Sequence, residues 1–181
     1  MKLFMFPDGL WEEGLELGRW QLKHYKGRWS WKKRGLRELA MGAQGELVMA
    51  HVLGGERRGG DQEEDVFIPG WGYVEVRTCS QLWHRLILEP DSFPSLPMCH
   101  LVGEWPDDPE DPDVPFRPST LLWKGWVRPQ DAVYTRKIIN KNSVRVVEQR
   151  DLNPPQDLLD LLAAPPPHGA VLLGPVLQAH L

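Results

Sequence analysis

Cysteine is scarce: Cys79 and Cys99 are the only two in 181 residues. Two thiols cannot staple a small secreted fold, so both are expected reduced, in or beside the core. Their spacing with His84 and His100 fits no common zinc pattern, which sets a zinc centre aside. No apolar run approaches the roughly 20 residues that a membrane-spanning helix needs. Met1-Lys-Leu-Phe-Met-Phe is too short for a secretory signal and runs into Pro7 and acidic residues, so a soluble, cytoplasmic chain is expected. There is no glycine-rich phosphate loop, no Gly-x-Ser-x-Gly elbow and no His-Glu-x-x-His, and no internal repeat.

What is present is globular in kind. Hydrophobic residues make up 41% and charged residues 25%, enough for a core of real size. The length suits one domain with appendages. Thirteen of the seventeen prolines cluster at 90–118, 154–155 and 165–167 and mark loops and a tail. The chain is read as a basic, tryptophan-rich arm at 1–35, a core at 36–150, and a helix with a proline-rich apolar tail at 151–181. The net charge of −4 argues against nucleic-acid binding by bulk charge, but it hides an asymmetry. Between Arg19 and Arg37 stand eight Lys or Arg residues and no Asp or Glu. Trp20, Tyr25, Trp29 and Trp31 are interleaved among them. Phosphate contacts with stacking side chains need this mixture, which makes Lys23, Lys26, Arg28, Lys32, Lys33 and Arg34 candidates for binding nucleic acid. A solvated connector whose tryptophans pack on the core has the same composition.

Periodicity supplies the elements. Residues 10–26 form an amphipathic helix with Trp11, Leu15 and Leu22 on its apolar side and Leu17 beside them. Residues 36–53 form the strongest helix. Leu39, Ala43, Glu46, Ala50 and Leu53 share one stripe, and Gly42, Ala43 and Gly45 allow close approach of another element. Glu46 interrupts the apolar stripe. Gly54-Gly55 stops the helix, and 57–61 is expected to be a loop. Asp65-Val-Phe-Ile-Pro-Gly-Trp-Gly-Tyr-Val-Glu-Val-Arg77 then reads as two strands about a Pro-Gly-Trp-Gly turn. Tyr73, Glu75 and Arg77 share one face of the second strand, Val74 and Val76 the other. Paired residue numbers must sum to an even number if Asp65 is to lie opposite Glu75, so a three- or five-residue loop or a bulge is required. Buried carboxylate and guanidinium groups need partners. A hard divalent cation on Asp65 and Glu75 meets that need, whereas a solvated hairpin with an acidic run at 63–65 does not require one.

Further strands are expected at 84–89, 99–105 and 121–127, with a turn or short helix opening at Pro129. The run Glu104 to Asp113 holds six acidic residues and three prolines and reads as an exposed loop. A helix at 156–163 comes after Asn-Pro-Pro. The apolar tail at 170–181 is suited to docking on the body, a partner or a second copy of the chain.

A helix carrying Gly-Ala-Gln-Gly-Glu46, then Asp65, then Glu75-Val-Arg77, resembles the PD-(D/E)xK nuclease superfamily. The resemblance covers roughly residues 36–127 and extends to Lys124-Gly-Trp-Val-Arg-Pro, which is similar to the segment downstream of the motif in small phage and bacterial members. It implies an α/β fold with a restriction-endonuclease-like core: a mixed central β-sheet flanked by helices. It implies Glu46, Asp65 and Glu75 as ligands of magnesium or manganese, and Arg77 in the position of the family's lysine. The implied activity is metal-assisted hydrolysis of DNA phosphodiester bonds, in a host cytoplasm if the chain is phage-encoded. Two departures stand out. Glu64 replaces the motif's proline, and Arg77 replaces lysine, keeping positive charge but giving up proton transfer. A catalytically silent nuclease fold that binds nucleic acid or a protein is therefore the alternative. A protein with an incidental acidic cluster is a third, which requires Glu46 to lie far from Asp65 and Glu75.

Overall fold

A computed structural model describes residues 6–7, 9–24, 35–58, 65–88, 94–139 and 142–164. Three helices, α1 (Leu10–His24), α2 (Leu36–Leu53) and α3 (Pro155–Ala163), accompany eight strands. These are β1 (Glu56–Arg57), β2 (Val66–Ile68), β3 (Gly72–Cys79), β4 (Leu86–Leu88), β5 (Met98–Glu104), β6 (Thr120–Val127), β7 (Thr135–Ile139) and β8 (Asn142–Val147). The architecture is mixed α/β with a mixed central sheet flanked by helices.

The central sheet has five strands in the order β1-β2-β3-β5-β6. β3 and β5 are parallel and the other pairs antiparallel. Strand alternation gives β3 two distinct faces. Val74 and Val76 turn to one side and join Met49, Ala50 and Leu53 of α2 and Leu158 of α3 in the main core. On the other side Met98 and Val127 pack on Leu86, Leu88 and Val147. Those residues belong to a second, three-stranded sheet ordered β4-β8-β7. The expected strand at 84–89 therefore exists as β4 but lies outside the central sheet. The β7–β8 hairpin was not foreseen. Beyond β6, Asn153 exchanges backbone hydrogen bonds with Trp126 in both directions, at 3.0 and 2.9 Å, covering part of that edge.

α2 runs over the expected residues and stops at Gly54, whose φ of 65° is left-handed. α3 starts with Pro154 at its cap and Pro155 in its first turn, where a missing N–H costs nothing. The expected face of α1 holds at Leu15, which packs against the cluster of Ala40, Met41, Trp105 and Phe116, and is corrected at Leu22. Leu22 is exposed, and the buried residues are Leu10, Gly14, Gly18 and Gln21. Glycine lets the backbones meet: a Cβ on Gly18 would lie 2.7 Å from the Ala40 backbone of α2. Of the α2 glycines, Gly45 faces Thr78 closely, whereas Gly42 faces open space. Gly18→Ala is accordingly expected to destabilise by about 1–3 kcal/mol through overpacking. Gly42→Ala should stabilise by up to about 1 kcal/mol through helix propensity. Urea unfolding of both variants measures the difference, and equal midpoints would refute the close packing.

The acidic run at 104–113 is exposed at its carboxylates but anchored at both ends by buried Trp105 and Phe116. Arg37, the last residue of the basic 19–37 run, donates to the Pro106 carbonyl at 2.9 Å and the Trp105 carbonyl at 3.3 Å, beside Asp107. Lys23 is exposed at the end of α1. Lys26, Arg28, Lys32, Lys33 and Arg34 lie outside the described residues, as does the apolar tail at 170–181.

Candidate functional site

Three residues, Pro69, Gly70 and Trp71, connect β2 to β3, and Val66 pairs with Val74, Phe67 with Tyr73 and Ile68 with Gly72. This is the even register, and one further step sets Asp65 opposite Glu75. The hydrogen bonds explain how that step is made. In β3 the Glu75 N–H turns towards β5 and donates to the Pro97 carbonyl at 2.9 Å. The next N–H, that of Val76, turns the other way and donates to Asp65 Oδ2 at 2.7 Å. The Asp65 carboxylate thus takes over where backbone pairing with β2 ends. A carboxylate bonded to a backbone N–H is held in place rather than left to sample rotamers.

Glu75 is 8% exposed, and Arg77, two residues along the same face, has its guanidinium 3.7 Å from the Glu75 carboxylate. Glu46 enters from α2. Its carboxyl is pushed up to about 8, first by burial and then by the negative charge of Asp65, with a smaller push from Glu75. Glu46 is thus near enough to Asp65 and Glu75 to feel their charge. Arg57 opposes the push: its guanidinium lies 2.7 Å from Glu46, both side chains largely buried.

Arg57 was expected in a loop and is the residue that sequence reasoning missed. It sits in β1 opposite Val66, one residue from Asp65. The only signal for it was Glu-Arg directly after a glycine helix stop, where the chain turns back along β2. His100 was missed too. It pairs with Arg77 across β3 and β5, is fully buried, and places Nε2 2.9 Å from the His84 carbonyl. Burial lowers its pKa, so the neutral ring is favoured.

The donors suit a hard divalent cation in kind, being three carboxylates, one of which, Glu46, would have to give up its proton to bind it. Their arrangement is less complete. Among the described residues no group of three or more His, Cys, Asp or Glu side chains is gathered to hold a metal ion. Arg57 supplies positive charge to Glu46 instead.

The raised carboxyl has a consequence for stability. Glu46 moves from an ordinary 4.5 to about 8 on folding, so the folded state holds a proton that the unfolded state has released. Stability in EDTA should therefore fall as pH rises through that window, by at most about 1.4 kcal/mol per pH unit. Glu46→Gln keeps an oxygen for Arg57 and should flatten the profile, gaining on the wild type towards pH 8. Parallel profiles in urea unfolding would contradict this assignment.

Compared with protein-family profiles, curated proteins and solved structures, the chain matches none of them. No helix among the described residues is long and apolar enough to cross a membrane.

Proposed function

We propose that the chain is a metal-dependent nuclease of the PD-(D/E)xK kind, hydrolysing phosphodiester bonds in DNA. One observation carries the reading: Asp65, bonded to the Val76 N–H, stands one register step beyond the Val66/Val74 pair and so opposite Glu75, Arg77 lies 3.7 Å from Glu75, and Glu46 of α2 is near enough for its carboxyl to be raised by Asp65 and Glu75. Glu46, Asp65 and Glu75 would hold magnesium or manganese. When bound, such an ion lowers the pKa of an attacking water and neutralises charge on the phosphate. The chain's own part is positional and electrostatic. Asp65 and Glu75 are fixed by the strand ladder, and Arg77 places permanent positive charge where negative charge grows on the phosphate oxygens. Arginine cannot serve as a base here.

A second reading is a binding module that keeps this fold without turnover. The Glu46–Arg57 pair favours it, because a built-in cation meets the need of Glu46 without a metal. The two part company in one experiment: circular single- and double-stranded DNA incubated with magnesium, manganese or EDTA. Metal-dependent opening of the circles supports the nuclease. No cleavage by the wild type, but cleavage by Arg77→Lys, supports the silent module, and no cleavage or metal binding by either rejects the enzyme.

A further inference from the structure

Glu75, Arg77 and Cys79 succeed one another along a single face of β3. At Cys79 that face runs into a cleft of about 470 Å³, a volume suited to a small ligand. With Cys79 it is lined by Trp83, Arg85, Ile87 of β4, and Lys137 and Ile139 of β7. Its lining joins apolar surface and cations. Trp83 is 71% exposed, far more than an aromatic that packs in the core. Arg85 is half-exposed while paired with Glu148 at 2.7 Å, and Lys137 is exposed on a strand that buries none of its residues. Arg136 and Arg145 pair in register beside it, so basic residues outnumber acidic ones along this hairpin.

We infer that this cleft seats an unpaired base of single-stranded DNA, and that single strands are the substrate of the carboxylate site, an inference that rests on the nuclease reading above. An aromatic in an apolar cleft gains by stacking on an exposed base face, while Lys137 and Arg85 meet the flanking phosphates. A duplex buries its base faces, so it offers this cleft only phosphates. Cys79 is two residues from Arg77, about 7 Å along the strand. A base held in the cleft therefore sets its neighbouring phosphate towards Arg77, with Glu75 two residues further along the same face.

The test is fluorescence anisotropy of the full-length chain with a labelled oligothymidylate and with a duplex of equal length, in EDTA. The wild type should prefer the strand. Trp83→Ala should weaken that binding about tenfold or more. Lys137→Ala should reduce the salt slope by about 0.7. Both side chains are exposed, and an unchanged thermal transition confirms that each variant folds. Equal strand binding by Trp83→Ala, preference for the duplex, or no binding overturns the cleft. EDTA keeps the two proposals apart. Trp83-dependent strand binding without cleavage in any metal keeps the cleft and rejects the nuclease. Metal-dependent cleavage with Trp83→Ala binding as the wild type does the reverse.

Discussion

Glu75→Gln should reduce metal-dependent DNA cleavage on the order of a thousandfold while leaving the fold in place. Glu75 lies in the central strand of the five-stranded sheet, with β2 on one side and β5 on the other. Its backbone is fixed by the bond to Pro97. The substitution keeps the shape and one oxygen, and removes a negative charge from beside Asp65, Glu46 and Arg77. On the proposed nuclease reading a bound cation would lose a ligand, and Arg77 loses the carboxylate that stands 3.7 Å away. The matched control is Glu56→Gln, which removes a solvent-exposed partner of Arg58 on β1. Exposed pairs contribute about 0–1 kcal/mol, so this control should cleave within a few-fold of wild type. Initial rates with magnesium and manganese, beside circular dichroism of each variant, decide the matter. Equal rates for Glu75→Gln and the wild type would remove the carboxylates from the chemistry.

The same residues show how much was legible in the sequence. α2 was readable to the residue because an 18-residue helix carries several turns of periodic signal and ends on two glycines. The parity rule constrained the hairpin because side chains alternate strictly, so only an even register puts Asp65 across from Glu75. Arg57 was not legible, because its partner Glu46 lies on a helix and the two meet only through tertiary packing. The buried face of α1 misled for another reason. Helices that touch through backbone use Gly14 and Gly18, and glycine registers as a weak helix former rather than as a core residue. β7 gave no alternation to detect, since all five of its residues are exposed. β4 is only three residues long, and nothing local says which sheet a strand of that length joins.

The largest stability effect is expected at Gln44, two residues before Glu46. Gln44 is fully buried and saturated. Its Nε2 donates to the Trp11 carbonyl of α1 at 2.9 Å and to the Phe116 carbonyl at 2.7 Å. Its Oε1 accepts from Trp105 Nε1 at 2.6 Å. One amide therefore ties α1, α2 and both ends of the acidic loop together, and every group it satisfies is cut off from water to some degree. Gln44→Leu conserves volume but leaves the indole N–H without its acceptor and two carbonyls without a donor. At about 1–3 kcal/mol for each buried group so stranded, the total is about 4 kcal/mol. In a chain of this size that lowers Tm by roughly 10 °C. Gln44→Glu should do no better, because a carboxylate can accept from Trp105 but has nothing to donate to the carbonyls. Hydrogen exchange would locate the damage: α1 and the 105–116 segment should lose protection, while β3 and β5 keep theirs. Equal loss throughout would mean that the network is part of the global core. Loss confined to α1 and the loop would mean that Gln44 anchors both to α2, on the side of that helix away from Glu46.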